Sequence, residues 1–204
     1  MANIKTAIPD EPVFSQRWDS AYQNIREGQK LREEGRFEEA LKRRQEGQEE
    51  MQSLLNLVSE REKALAAKSQ LAETKSRVEA MGTDRGNVLY WVAGRHERDA
   101  EDALNKSDFS GSRALSSVLE RVLRLSSQCR EPGNCLKVLA DLVEGMKKAA
   151  EKSASAKPDP WLFNVAKESE DEAQRALAQN DYEGAAEAYI RAAFVYQKII
   201  DQGT

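Results

Sequence analysis

One phrase occurs three times in this chain and constrains its fold more than any other feature. It reads Gly35-Arg-Phe37-Glu-Glu-Ala40, then Ser107-Asp-Phe109-Ser-Gly-Ser112, then Asn180-Asp-Tyr182-Glu-Gly-Ala185, with the aromatics 72 and 73 residues apart. A tryptophan precedes each aromatic: Trp18 by 19 residues, Trp91 by 18 and Trp161 by 21. A turn former, an aromatic and then a small residue is how two antiparallel helices are joined through a short connection. Three related αα-hairpins, repeating about every 72 residues, are therefore expected.

The rest of the sequence favours helix throughout. Ala, Glu, Lys, Leu and Arg are abundant, and only five prolines among 204 residues are present to interrupt long helices. Strand alternation is scarce, so the expected class is all-α, with about seven helices in a helical-repeat or bundle-like arrangement. Acidic and basic residues are interleaved to a net charge of −4. A nucleic-acid binder concentrates Lys and Arg on one face, so no nucleic-acid partner is expected. The densest basic cluster, Lys42-Arg43-Arg44, lies among Glu38, Glu39, Glu46, Glu49 and Glu50 and reads as a solvated, ion-paired helix face.

Punctuation divides the chain further. Residues 1–13, with Pro9 and Pro12, read as an extended arm, and residues 14–82 as a first helical unit. Gly35 closes the first helix in the left-handed conformation that glycine adopts cheaply. No Pro or turn cluster then appears until Met81-Gly82-Thr83-Asp84, so residues 38–80 form one helix or two. The apolar face fades across Ser59-Glu60-Arg61-Glu62-Lys63 and resumes rotated, which favours a bend or break. The heptad spacing of Leu57, Ala64, Leu71 and Val78 also allows a short coiled-coil seam. Residues 83–152 read as a second unit, and its most apolar helix, carrying Leu115 to Leu125, is expected to be a central element. Residues 153–160 (Ser-Ala-Ser-Ala-Lys-Pro-Asp-Pro) read as a linker, and 161–204 as a semi-independent C-terminal hairpin.

The hairpins resemble tetratricopeptide repeats. In the third, Ala173 and Ala192 match that family's close-packing pair, Tyr182 its turn aromatic, Ala185 the small residue after it and Tyr189 the buried aromatic one turn on. The first hairpin has Gly28, Gly47, Phe37 and Ala40 in matching places, with Arg44 where the third has Tyr189. The middle hairpin keeps Ala100, Phe109 and Ser112 but carries Leu119 in place of the second small residue. Glycine inside a helix costs about 1 kcal/mol relative to alanine, so Gly28 and Gly47 point to backbone contact. Ordinary arrays of the family repeat about every 34 residues, whereas each unit here is a hairpin plus a third helix. The resemblance implies a binding scaffold rather than a catalyst.

The residues offer little chemistry of their own. The single histidine, His96, cannot supply the paired Glu-x-x-His motifs of a di-iron bundle, and no triad or zinc-protease signature surrounds it. Gly82-Thr-Asp-Arg-Gly86 lacks the Lys-Ser/Thr pair of a nucleotide loop. The carboxylates Asp99, Glu101 and Asp102, and Glu168, Glu170, Asp171 and Glu172, read as solvated surface. A non-enzymatic protein is expected, with no cofactor and no metal. A helical enzyme holding a metal on carboxylates is the third-ranked reading. Cys129 and Cys135 are either reduced or joined in a disulfide through a turn at Pro132-Gly133. No apolar run reaches membrane-spanning length and Met1 to Phe14 shows no apolar signal core, which points to the cytoplasm. A disulfide would point instead to an exported or periplasmic protein.

The expected function is a protein–protein interaction scaffold or adaptor, with a self-assembling structural subunit as the alternative. Trp18, Trp91 and Trp161 either anchor their helices in the core or line a groove for a peptide or helix. Tyr189, Phe194 and Tyr196 lie on more than one face of the last helix, which suggests a surface for a partner or a second copy.

Overall fold

A computed structural model describes residues 8–83, 86–153 and 160–203. Among them are seven helices and no strand: α1 (Pro12–Glu33), α2 (Phe37–Ala80), α3 (Val88–Asn105), α4 (Phe109–Ser126), α5 (Pro132–Ser153), α6 (Pro160–Ala178) and α7 (Tyr182–Gln202). The protein is all-α. The expected arm ends earlier than read: Pro12 opens α1, because its fixed φ and missing N–H suit a first helical turn. Residues 1–7 and most of the expected linker, 154–159, lie outside the described residues.

Three connections share one backbone geometry. Gly35, Ser107 and Asn180 have φ of 78°, 61° and 58°. In each case the residue after them donates its N–H back five residues, Arg36 to Leu31, Asp108 to Ala103 and Asp181 to Ala176, at 2.9 Å. This is the Schellman closure, which satisfies carbonyls that a helix end would leave unpaired. Asn and Ser reach the left-handed region at a modest cost that the paired carbonyls offset. The next helix then starts two residues later, on the aromatic. Asp108 and Asp181 cap α4 and α7 by accepting from the N–H groups of Gly111 and Gly184, each at 2.9 Å. A Cβ on either glycine would fall 2.2 Å from the capping carboxylate, so the Asp and the Gly belong together. The first hairpin replaces both, and its Arg36 pairs with Glu39 instead, at 2.8 Å.

The chain forms two compact units, divided between Glu62 and Lys63. The division falls inside α2, which runs unbroken where a bend or break was expected. Glu60, Arg61, Glu62 and Lys63 are strong helix formers, and no Gly or Pro stands between them to stop propagation.

Unit 1 contains α1 and α2 up to Glu62, packed antiparallel. Arg17 meets Ser53, Ser20 and Asn24 meet Glu50, and Arg43 bridges Glu27 and Asn24. A Cβ added at Gly47 would lie 2.9 Å from the Ala21 carbonyl oxygen, and one at Gly28 would lie 3.1 Å from that of Ala40. The two glycines let the backbones touch. Phe14, Trp18, Ala21, Ala40 and Leu54 fill the small interior.

Unit 2 comprises the remainder of α2 together with α3 to α7. Its core contains Leu71 of α2, Leu89 and Val92 of α3, Val118, Leu119, Val122 and Leu123 of α4, and Leu136, Leu139 and Val143 of α5. From α7 come Tyr189, Ile190, Tyr196 and Ile199. The most central helix is α7, in contact with α3, α4, α5 and α6. It was α4 that the sequence pointed to as central. The five buried alanines of α7 at 185, 186, 188, 192 and 193 let neighbours approach from several sides. Its wide apolar surface is thus largely interior to the unit. The C-terminal hairpin accordingly shares one core with α3 to α5 and is not semi-independent. The expected seam is also turned inward: Ala64, Leu71 and Val78 are buried, while Lys68, Thr74 and Lys75 beside them bond to Glu101, Glu120 and Glu97.

Cys129 and Cys135 form a disulfide with 5.2 Å between Cα atoms. The turn that brings them together precedes Pro132, which opens α5, so Pro132-Gly133 begins a helix instead of making the turn. Buried Asn87 ties this corner together. It caps α3 by accepting from the N–H groups of Leu89 and Tyr90, and donates to the carbonyls of Ser126 (2.9 Å) and Cys129 (2.8 Å).

Candidate docking site

Counting from the left-handed residue of each turn aligns the three hairpins. In α4 the aligned residues Phe109, Arg113 and Ser116 are covered or largely covered, Phe109 being 3% exposed and Ser116 0%. In α7 Ala186 and Tyr189 are buried, whereas Tyr182 is 36% exposed. The corresponding residues of α2 are open: Phe37 is 69% exposed, Leu41 68%, and Arg44 is exposed. The difference is in tertiary cover, because α7 lies against α3 and α4, and α3 to α5 lie against α7. Unit 1 contributes no such covering helix among its described residues.

The open face is a groove of about 410 Å³ within unit 1. Its floor is Gly28 and Ala40, where the two backbones approach, with Ile25 beside them. Phe37 and Leu41 stand one helical turn apart on one wall. Its polar lining is Gln29, Arg32, Arg44 and Gln48, with no carboxylate. The cluster Lys42-Arg43-Arg44 is only partly ion-paired. Arg43 bridges Glu27 and Glu46, whereas neither Arg32 nor Arg44 has an ion pair among the described residues.

The residues expected to meet a partner are scattered. Trp18 is 6% exposed and packs parallel to Tyr22, so it is a core anchor. Tyr189 and Tyr196 are 2% and 1% exposed, and bond to Gln174 and Glu170 inside the α6–α7 pair. Burial, and then the neighbouring Glu170 carboxylate, push the Tyr196 phenol well above the usual tyrosine range. Neither tyrosine is placed to touch a partner. Phe194 is half-buried against the core, with the Lys198 ammonium 5.4 Å from its ring centroid. Trp91 is 38% exposed, between a shallow concavity with Arg95 and Arg98 and another shared with Pro132 and Tyr182. Trp161 is 64% exposed on the first turn of α6. The expected packing residues Ala100, Ala173 and Ala192 are all buried, and Ser112 Oγ donates to the Ala100 carbonyl at 2.8 Å.

His96 rests its Nδ1 against Asp99, at 2.7 Å, and lines none of the concavities described. Glu170 is engaged by Tyr196 and Lys147, Glu172 by Arg191. A hydrogen bond from Lys68, and then its charge, hold Glu101 below the ordinary carboxylate range. Among the described residues no three His, Cys, Asp or Glu side chains are grouped to hold a metal ion, and no helix is long and apolar enough to cross a membrane.

In comparison with known proteins, the chain matches no family model, no curated protein and no solved structure.

Proposed function

We propose that this chain is a non-enzymatic protein-interaction scaffold that uses tetratricopeptide-like helical hairpins, and that the groove of unit 1 receives a helix from another protein. The observation that carries this reading is the exposure of Phe37 and Leu41, whose turn-aligned counterparts Phe109 (for Phe37) and Ala186 (for Leu41) are buried by helices of the same chain. Burying two such side chains contributes about 1.5–3 kcal/mol each, so an open face of this kind favours a cover. The small interior of unit 1 adds to the argument, since a two-helix element gains stability from anything that binds only its folded form. The Cys129–Cys135 disulfide supports an oxidising compartment as the setting.

The experiment is photo-crosslinking in the source cells with benzoylphenylalanine at position 41 and, as a control, at exposed position 45. A heterologous peptide attached at 41 and absent at 45 is expected, and Phe37→Asp should reduce its yield at least tenfold. Equal labelling from both positions, or attachment only to residues of this chain, would count against the reading.

A further inference from the structure

We infer that the occupant of the unit 1 groove is an amphipathic helix whose apolar ridge is flanked by carboxylates. The inference rests on the scaffold reading and names the partner's chemistry. Three observations lead to it.

The groove's apolar features have helical spacing. Phe37 and Leu41 are four residues apart on one helix, and Gly28 and Ala40 leave a shallow floor between them and α1. A ridge of side chains on a third helix fits such a channel, as ridges enter grooves in helix packing generally.

Its polar lining has one sign. Arg32 comes from α1 and Arg44 from α2, so the groove presents a guanidinium from each helix, and the other polar lining groups are the amides of Gln29 and Gln48. Both arginines lack an ion pair among the described residues, whereas Arg36, Arg43 and Arg61 of the same unit are paired. A guanidinium binds a carboxylate through paired N–H donors, which an amide or an ammonium on the partner cannot match.

The chain itself supplies a precedent. Helix α7 covers the α3–α4 hairpin with an apolar surface and sets carboxylates on the arginines there. Glu187 lies 2.8 Å from Arg95, and Asp201 lies 3.1 Å from Arg113. The two acids are 14 residues apart, about four helical turns, and so lie on one side of α7. Arg113 is the turn-aligned counterpart of Leu41. A face of the α3–α4 hairpin in unit 2 is thus closed by an apolar helix with acidic flanks.

The test uses the full chain and two synthetic helical peptides about five turns long, labelled with fluorescein. Both carry leucines at i, i+4 and i+7; one has glutamates on the flanks and the other has lysines. Fluorescence anisotropy should give micromolar binding of the acidic peptide and at least tenfold weaker binding of the basic one. Arg32→Glu with Arg44→Glu should invert the preference, and Leu41→Asp should weaken the acidic peptide at least tenfold. All three substituted residues are exposed, and circular dichroism of each variant checks that the fold is kept. Equal binding of both peptides that still depends on Leu41 would overturn the acidic preference and leave the scaffold reading intact. Binding insensitive to every substitution, or no binding of either peptide, would overturn the inference, and crosslinking at position 41 would then judge the scaffold reading separately. A dimer of the chain abolished by Leu41→Asp would make a second copy the occupant and also overturn it.

Discussion

Asn87→Ala is expected to destabilise unit 2 by about 3 kcal/mol, as the side chain serves two ends of the structure at once. Its carbonyl oxygen caps α3, and loss of such a cap costs about 1 kcal/mol. Its amide donates to the carbonyls of Ser126 and Cys129, and Asn87 itself is 8% exposed, so alanine would leave two acceptors underpaired at about 1 kcal/mol each. Asn87→Ser, which keeps a capping oxygen but cannot reach both carbonyls, should recover about 1 kcal/mol of the loss. Urea unfolding followed by Trp91 fluorescence, in a chain with Trp18 and Trp161 replaced by phenylalanine, checks this. A loss below about 1 kcal/mol would mean that the corner is held by the disulfide alone.

In unit 1 the largest effect is expected from Gly47→Val, on the order of 3 kcal/mol. The added Cβ would fall 2.8 Å from Ile25 Cγ1, 2.9 Å from the Ala21 carbonyl oxygen and 3.1 Å from the Ile25 nitrogen. Two of these atoms are backbone and cannot turn aside, so α1 and α2 would have to separate. Gly145→Ala is the control. That glycine is exposed within α5 with nothing within 4 Å of an added Cβ, and the substitution should stabilise by about 1 kcal/mol through helix propensity. Unfolding of unit 1 can be read from Trp18 after Trp91 and Trp161 are replaced, and the unit 2 control from Trp91 after Trp18 and Trp161 are replaced. Equal effects of the two substitutions would show that Gly47 is not a close-contact site.

The helix ends at Gly35 and Gly82 were legible in the sequence, because glycine takes the left-handed φ cheaply. Pro12, Pro132 and Pro160 each open a helix but read in the sequence as arm, turn and linker, since proline suits a first helical turn as well as a loop. The unbroken course of α2 was obscured by its buried stripe, which steps through Ala40, Gly47 and Leu54 and resumes at Ala64, Ala67 and Leu71. An apolar stripe can change register without the backbone breaking. The central place of α7 was hidden for a related reason. Alanine contributes little to an apolar period, yet it allows the closest packing, and only the assembled bundle reveals which faces it brings together.

The groove could not be read from the sequence either. Phe37 and Leu41 have the same local pattern as core residues of the other hairpins, and their exposure depends on which helices fold back across them. Asn87 was half legible: an asparagine before an apolar run signals a helix start. Its bonds to residues 39 and 42 positions away carry no local sequence signal.

Carbene footprinting of the purified chain would test the central claim most directly, because it reads side-chain exposure residue by residue. With the free protein, heavy labelling of Phe37 and Leu41 is expected alongside weak labelling of their counterparts Phe109 and Ala186. Protection of Phe37 and Leu41 to the level of Phe109 would mean that the groove is already covered, and would contradict its role as a docking site.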